Sequence, residues 1–481
     1  MVGTGKIGRW RPSVNALTPS PDKGTDGPVS DVRQRRTPGL AAVVLALVVL
    51  GGCVSYRSAG LPDSPRPDPS TTDLARAAAR LDHPRLAPVD IDLAGPLSPQ
   101  QLGVIAVIAN PDLRAQRARL GVAEAQVFEA GLLPDPQFSF SLDRPVSASG
   151  LVDAIASGLG FDTSSLYTRP VRQRTARASR NQVRLDVAWL EWQAAGQARL
   201  LAARIGGLET VRGLAFEASR AADDALDRTL RAVARGDLSA NDLEARRISA
   251  ADAGDRARSA ERDLQAARFA LNAALGLSPD ATVVLIDPAR NHLPAPDPVS
   301  LVERAYRQRL DLDALSAGYE VHDADLRLAL LQQYPRLNLS LNAARDTGAV
   351  RTNGVAIGFD LPLWNRNRGT IAVQDATREQ FRAEYEARLF STRSEITTLI
   401  AAYQIGIRQR DALEAQVAPL RQIVEAFERA GSRGDIARVT AETARQALTD
   451  KEIALAVLDQ ALSEQWVALE LASGALIKDT K

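Results

Sequence analysis

The sequence predicts a mainly α protein with a small β part, built twice from the same units. Three observations carry this: composition, a long-range internal repeat, and two short segments where the hydrophobic period changes from 3.6 to 2. Aromatic residues make up only 5% of the chain, and alanine, leucine, arginine and glutamine dominate long stretches. Such usage favours long helices over a compact mixed core. The repeat appears when Asn110–Leu142 is laid against Arg309–Leu341 without gaps. Asp112/Asp311, Leu113/Leu312, Ala118/Ala317, Val122/Val321, Ala130/Ala329 and Pro136/Pro335 coincide. Further on, RGDL at Arg235–Leu238 answers RGDI at Arg433–Ile436, and LNAALG at Leu271–Gly276 answers LELASG at Leu469–Gly474. The same order in both halves marks a duplication.

Each half reads in the same order. A helix of about 25 residues ends at Pro134 in the first half and Pro335 in the second, because proline cannot continue it. Alternation follows. Phe138, Phe140 and Leu142 interleave with Gln137, Ser139, Ser141 and Asp143; Leu337, Leu339 and Leu341 interleave with Asn338, Ser340 and Asn342. Returning strands are expected at Leu159–Tyr167 and around Val355, Ile357, Phe359 and Leu361. One apolar and one polar face per strand is the pattern of a transmembrane barrel, and a half-buried soluble hairpin would share it. A proline-free stretch from about Val171 to Arg235 then predicts a helix roughly 100 Å long at 1.5 Å per residue. No ordinary globular core needs such a helix, so coiled-coil-like packing is implied. Gly236 and Gly434 sit where the RGD turns must reverse the chain. Four strands per chain cannot close a barrel, since about eight are needed. Three chains would supply twelve.

The N-terminus adds an address. Arg33, Arg35 and Arg36 precede an apolar run, Leu40–Leu50, of about 11 residues, too short to span a bilayer. Basic region, short apolar core and small residues describe a secretory signal. Leu50-Gly51-Gly52-Cys53 resembles the lipobox of bacterial lipoproteins, which implies cleavage before Cys53 and lipid attachment to it. A buried free thiol is the competing reading. Val54, and not aspartate, follows the cysteine, which fits outer-membrane sorting. Residues 1 to about 31 are polar and too long for an ordinary n-region, which suggests a start near Val32.

Several function classes are excluded. The chain has 59 basic and 58 acidic residues, a net charge of +1, without the basic excess nucleic acid needs. One cysteine builds neither a disulfide framework nor a thiolate metal site. The GTGKIG at Gly3–Gly8 lacks phosphate-loop spacing, and no catalytic motif follows Cys53. His322 beside Asp323 and Asp325 is the best metal hook among three histidines, the others being His83 and His292, but these neighbours do not share one helix face. No cofactor, no metal site and no enzymatic activity are expected.

The lipobox, the duplicated helix–hairpin–helix halves, NPDL at Asn110–Leu113, AGLLPDPQFSFSL at Ala130–Leu142 and GFDLPLWNRNRG at Gly358–Gly369 together resemble the TolC family of outer-membrane efflux channels. The resemblance covers about residues 75 to 476. The run from Pro362 through Trp364, Asn365, Arg366, Asn367 and Arg368 is its most specific part, and it looks like the heavy-metal branch. The resemblance implies a homotrimer with a twelve-stranded outer-membrane barrel above a twelve-helix periplasmic tunnel. It also implies a periplasmic adaptor and an inner-membrane pump of the resistance-nodulation-division type. The expected organisation is 1–52 extension and signal peptide, 53–74 lipid-anchored linker, 75–276 first repeat, 277–300 equatorial linker and 301–476 second repeat. In the family, aspartates near the tip turns ring the entrance. Asp242 matches the first-repeat position, whereas Thr440 and Thr443 stand in the second, which departs from the pattern. Asp237, Asp242, Asp435, Arg438 and Glu442 are the candidate gate residues, and solvated helix-end charge is the competing reading. The implied function is a passive exit duct, with heavy-metal cations as the favoured cargo. Drug or polypeptide export is the alternative, and a pore-free periplasmic coiled-coil lipoprotein the more distant one.

Overall fold

The computed structural model describes residues 56, 58, 60–64, 69–93, 95–147, 149–286 and 293–477. Two units result. In the first, Met1–Pro67, the described residues form no helix or strand. The second, Asp68–Lys481, carries every element below. Cys53, the apolar run before it and His292 lie outside the described residues.

The second unit runs α1 (Thr71–Ala78), α2 (Pro99–Ala109), α3 (Pro111–Gly131), β1 (Gln137–Asp143), β2 (Ala154–Asp162), α4 (Ser164–Ala234) and α5 (Ala240–Ala274). It then repeats the order with α6 (Pro298–Gln308), α7 (Leu310–Leu331), β3 (Leu337–Arg345), β4 (Arg351–Phe359), α8 (Arg368–Arg433) and α9 (Arg438–Ser473). The duplication is thus visible in three dimensions. Starts are set locally. Ser98 and Gln101 form a reciprocal cap on α2, and Asn110 accepts from the amides of Asp112 and Leu113 to begin α3.

Two boundaries differ from the sequence expectation. The strand expected at Leu159–Tyr167 lies at Ala154–Asp162, because the Asp162 carboxylate accepts from the Ser164 amide at 2.8 Å and turns the chain into α4. Leu166 and Tyr167 therefore belong to the helix. Helix α4 begins seven residues before Val171 and absorbs Pro170, which removes one hydrogen bond without ending it. It spans 71 residues, and α8 spans 66. At 1.5 Å per residue both are about 100 Å long.

The four strands form one antiparallel sheet in the order β1-β2-β3-β4. Register puts Phe138, Leu159, Leu341 and Val355 in one cross-strand row. Phe140, Leu142, Ile155, Phe161, Leu337, Leu339, Ile357 and Phe359 share that face by the two-residue period. The opposite face carries Gln137, Ser139, Ser141, Asn338, Ser340, Asn342, Gly158 and Gly354. Rows on this face recur about every 6.8 Å along the strands; four of them cover roughly 20 Å, and the outermost joins Leu142 and Ile155 to Arg345 and Arg351. Most of these side chains are exposed in the single chain, and β1 and β4 each present an open edge. No described helix is long and apolar enough to cross a membrane.

Below the sheet α4 packs against α3 and α7, and α7 against α8; towards the far turns α4 packs against α5 and α9, and α9 against α8. The apolar core is concentrated midway. Leu102, Ile105, Leu201, Ile205, Leu264 and Leu271 form one cluster; Leu301, Ile396, Ile400, Tyr403, Leu462 and Leu469 form its counterpart in the second half. Toward the turns only thin seams remain, Ala215 with Ala257 and Ala260, and Val417 with Val424 and Leu448. The Tyr403 hydroxyl donates to the Leu293 carbonyl at 2.8 Å, and burial pushes its pKa up to about 12. Each repeat closes on itself in an equivalent way. Asn110 donates to Ala274 O at 3.1 Å, and Arg309 donates to Ala472 O at 3.0 Å.

Candidate gate at the helix turns

Both long helices end in the same turn. Gly236 has φ +79° and Gly434 φ +83°, values that glycine adopts without steric cost. The Asp237 amide donates to Ala232 O and the Asp435 amide to Ala430 O, both at 2.9 Å, which satisfies the last carbonyls of each helix. Arg235 then pairs with Asp237, and Arg433 with Asp435, each at 2.9 Å. These two pairs are superposable in local chemistry and exposed.

Beyond the turns the halves diverge. Helix α5 opens with a reciprocal cap: Ser239 Oγ accepts from the Asp242 amide, and the Asp242 carboxylate accepts from the Ser239 amide at 3.0 Å and from its hydroxyl at 2.6 Å. The Ser239 hydroxyl, then its amide, hold the Asp242 carboxyl below the usual aspartate range. At the start of α9 the equivalent positions are Ala437 and Thr440, and no side chain caps the helix. Thr440 donates its amide to Ala437 O instead.

Glu442 is placed differently from the other carboxylates. It lies half-buried between Arg228 near the end of α4, at 2.8 Å, and Arg246 near the start of α5, at 2.9 Å. One carboxylate therefore ties the second-half tip to both helices of the first. These residues border a cleft of about 250 Å³, with Arg445 and Glu428 on its rim. Arg438, the first residue of α9, is exposed. The sequence singled out Glu442 but not Arg228 or Arg246, since pairing across more than 190 residues leaves no local signal.

At the other end the segment after β4 is a strained connection. Arg366 and Asn367 both take positive φ, +46° and +54°. Asn367 Nδ2 donates to Ala329 O at 2.8 Å, and Arg368 donates to Trp364 O at 3.0 Å. Pro362, Trp364 and Asn365 lie in the loop between sheet and helix, with Trp364 83% exposed. The run thus connects β4 to α8.

Ionic clusters near mid-height were not legible beforehand. Arg309, buried, bonds Asp311 at 2.9 Å and Glu395 at 3.1 Å and lies over Trp189. Arg388 joins Asp311 at 3.2 Å. Burial first, then the Asp311 charge, raises the Asp186 carboxyl. Arg199 and Glu470 form a second buried pair. His83 contacts Ala188 O and accepts from two backbone amides, and His322 lies against Phe381. Asp323 pairs with Arg327 at 3.0 Å. Among the described residues no group of three or more potential ligands is placed to hold a metal ion.

A duplicated pair of helices about 100 Å long, an open sheet with one apolar face, and paired glycine turns at the far end define a fold of the TolC type. Residues 301–475 match the family model described as outer membrane efflux protein. Over 349 residues the chain is 27% identical to the cobalt-zinc-cadmium resistance protein CzcC of Cupriavidus metallidurans, covering 70% of this chain and 79% of that one. The fold is shared with the OprN outer-membrane channel at TM-score 0.67 and 18% identity, covering 88% of this chain and 99% of that one. It is shared with CusC at TM-score 0.66 and 15% identity, with 86% and 99% covered. The Campylobacter jejuni CmeC channel matches at TM-score 0.67 and 14% identity, with 80% and 87% covered.

Proposed function

We propose that the protein is the outer-membrane exit duct of a tripartite efflux system, that three copies form the duct, and that its cargo is divalent metal cations. The observation that carries the duct is the sheet. Four strands with an apolar face and two open edges satisfy their backbone only when other strands complete a closed barrel. Three copies give twelve strands and bring the long α4 and α8 of each chain, with α3, α5, α7 and α9 packed along them, into a tunnel. Lipid attachment at Cys53 would add an anchor to a barrel that spans the bilayer by itself.

The duct does no chemistry and uses no energy of its own. A resistance-nodulation-division pump, coupled through a periplasmic adaptor, would drive transport. The similarity to a cobalt-zinc-cadmium resistance protein and the carboxylates at the tip support the metal cargo. Like charge concentrated at a narrow mouth focuses its field on entering ions. Asp237 and Asp435 are each neutralised by an arginine, so Asp242, whose bonds come from an uncharged serine, is the carboxylate best able to supply net field.

Reversal potentials across a salt gradient in planar bilayers test this reading. The wild-type channel should be cation-selective, and Asp242→Asn combined with Glu442→Gln should reduce that selectivity and weaken block by trivalent cations from the periplasmic side. Absence of any conductance from the purified protein would overturn the duct. Unchanged selectivity in the double variant would overturn the gate assignment.

A further inference from the structure

The hairpin ends of the sheet carry a second charge feature, on the lipid-facing side and far from the tip. Arg345 and Arg351 stand directly opposite each other in the register of β3 and β4. Their row continues through Ile155 and Leu142, so both arginines belong to the apolar face. Adjacent-strand partners have Cβ atoms about 5 Å apart, and like charges placed so are destabilising unless something offsets them. A third cation, Arg144, follows the last residue of β1, two positions beyond Leu142.

The protein supplies little offset. Asp153 is the acid nearest to this group in the register, and it pairs with Arg144 at 3.3 Å. Arg345 reaches only a backbone oxygen, Asp153 O at 3.2 Å, while its Nε is shielded from solvent without a partner. No hydrogen bond or ion pair of the Arg351 side chain is found among the described residues, and it is exposed. Asp346, in the turn, uses its carboxylate to accept the Val350 amide. Three guanidinium groups thus gather with one carboxylate at the hairpin end of a face whose next row is Phe140, Ser157, Ala343 and Asn353 and whose rows beyond are apolar.

Position identifies what could complete the set. The helices leave the other end of the sheet and extend into the periplasm, so the hairpin ends lie at the outer leaflet. The arginines close the apolar band at the level of that leaflet's head groups. Guanidinium groups bind phosphate oxygens in a forked geometry, and clustered cations at a membrane interface recognise anionic head groups. We infer that Arg345, Arg351 and Arg144 form a binding site for the phosphate of a phosphorylated lipid in the outer leaflet. The site rests on the reading of the apolar face as the lipid face, and it is independent of the cargo. Its role would be to seat each sheet at a fixed depth.

The test uses the full-length protein purified from outer membranes in mild detergent. Native mass spectrometry reads retained lipid, and thermal unfolding is followed with bilayer nanodiscs containing or lacking a phosphorylated glycolipid. The expected result is retained phosphorylated lipid and a higher unfolding midpoint with the glycolipid. Arg345→Gln with Arg351→Gln should lose that lipid and weaken the glycolipid-dependent gain roughly tenfold or more in lipid concentration. Arg351→Gln alone, at an exposed position without a protein partner, should show a partial loss and covers the case in which the double variant fails to assemble. An equal midpoint gain in wild type and Arg351→Gln overturns the proposal, as does equal stabilisation of wild type by inorganic phosphate at matched concentration. Conductance is measured on the same samples: lipid loss with conductance intact supports the site, and absence of conductance in wild type counts against the duct instead.

Discussion

Replacing Glu442 by glutamine keeps the side chain's shape and removes the charge that holds two arginines together. In the structure that carboxylate receives Arg228 at 2.8 Å and Arg246 at 2.9 Å, with side-chain exposures of 41% and 20% for the arginines and 27% for Glu442. Partly exposed pairs of this kind contribute about 0.5–1 kcal/mol each once screening is allowed for. Two of them therefore amount to about 1–2 kcal/mol between the second-half tip and the first. The seams nearby are thin, with three buried residues each, so little apolar burial resists their separation. If opening of the tip requires the clamp to break, a change of this size raises the open population about 5- to 30-fold. Single-channel recording at low and high salt measures it. Glu442→Gln should open more often, and the difference should shrink at high salt because the lost interaction is ionic. A double-mutant cycle with Arg228→Gln should return a coupling near 1 kcal/mol. Open probability unchanged within a factor of two, or a salt-independent change, would show that the clamp does not hold the tip.

Two further outcomes follow from the same geometry. Gly276 sits at φ +65° with its would-be Cβ 2.6 Å from Ala109 O, so Gly276→Ala meets both backbone strain and a rigid clash and should cost about 2–5 kcal/mol; Gly236→Ala, at φ +79° in open space, should cost only about 1–2 kcal/mol. Thermal unfolding compares the two, and equal costs would refute the packing argument. The Asp242 carboxyl lies below its ordinary value of 3.8 because Ser239 donates to the charged form. A depressed carboxyl stabilises the tip above that ordinary value and loses its effect as pH falls through the folded value. Pepsin cleavage near Leu238 and Leu243 should therefore rise below about pH 4 in wild type, and Asp242→Asn should be cleaved readily already at pH 4; identical profiles would refute the cap's role.

The sequence by itself determined what is local or periodic. Period-2 alternation gave the strands and their two faces, since side chains in a strand must alternate. Proline and glycine placed the ends of α3, α7, α4 and α8, because one cannot continue a helix and the other alone reverses it at little cost. Self-similarity gave the duplication, whereas the positive φ of Arg366 and Asn367 between β4 and α8 shows only in the structure. The start of α4 lies earlier than expected because Tyr167 stays in phase with Leu159 and Phe161, while the bond from the Ser164 amide to Asp162 that ends the strand has no periodic signal. Tertiary structure alone decided which charges meet. Glu442 finds Arg228 and Arg246, Arg199 finds Glu470, and Arg345 faces Arg351, each through helix packing or strand register. The Asp237 and Asp435 carboxylates looked equivalent to Asp242 in sequence, and only the structure separates two acids paired with arginine from one held by a serine cap. Hydrophobic periodicity is set residue by residue along one chain segment, whereas an ion pair depends on where two distant segments come to lie.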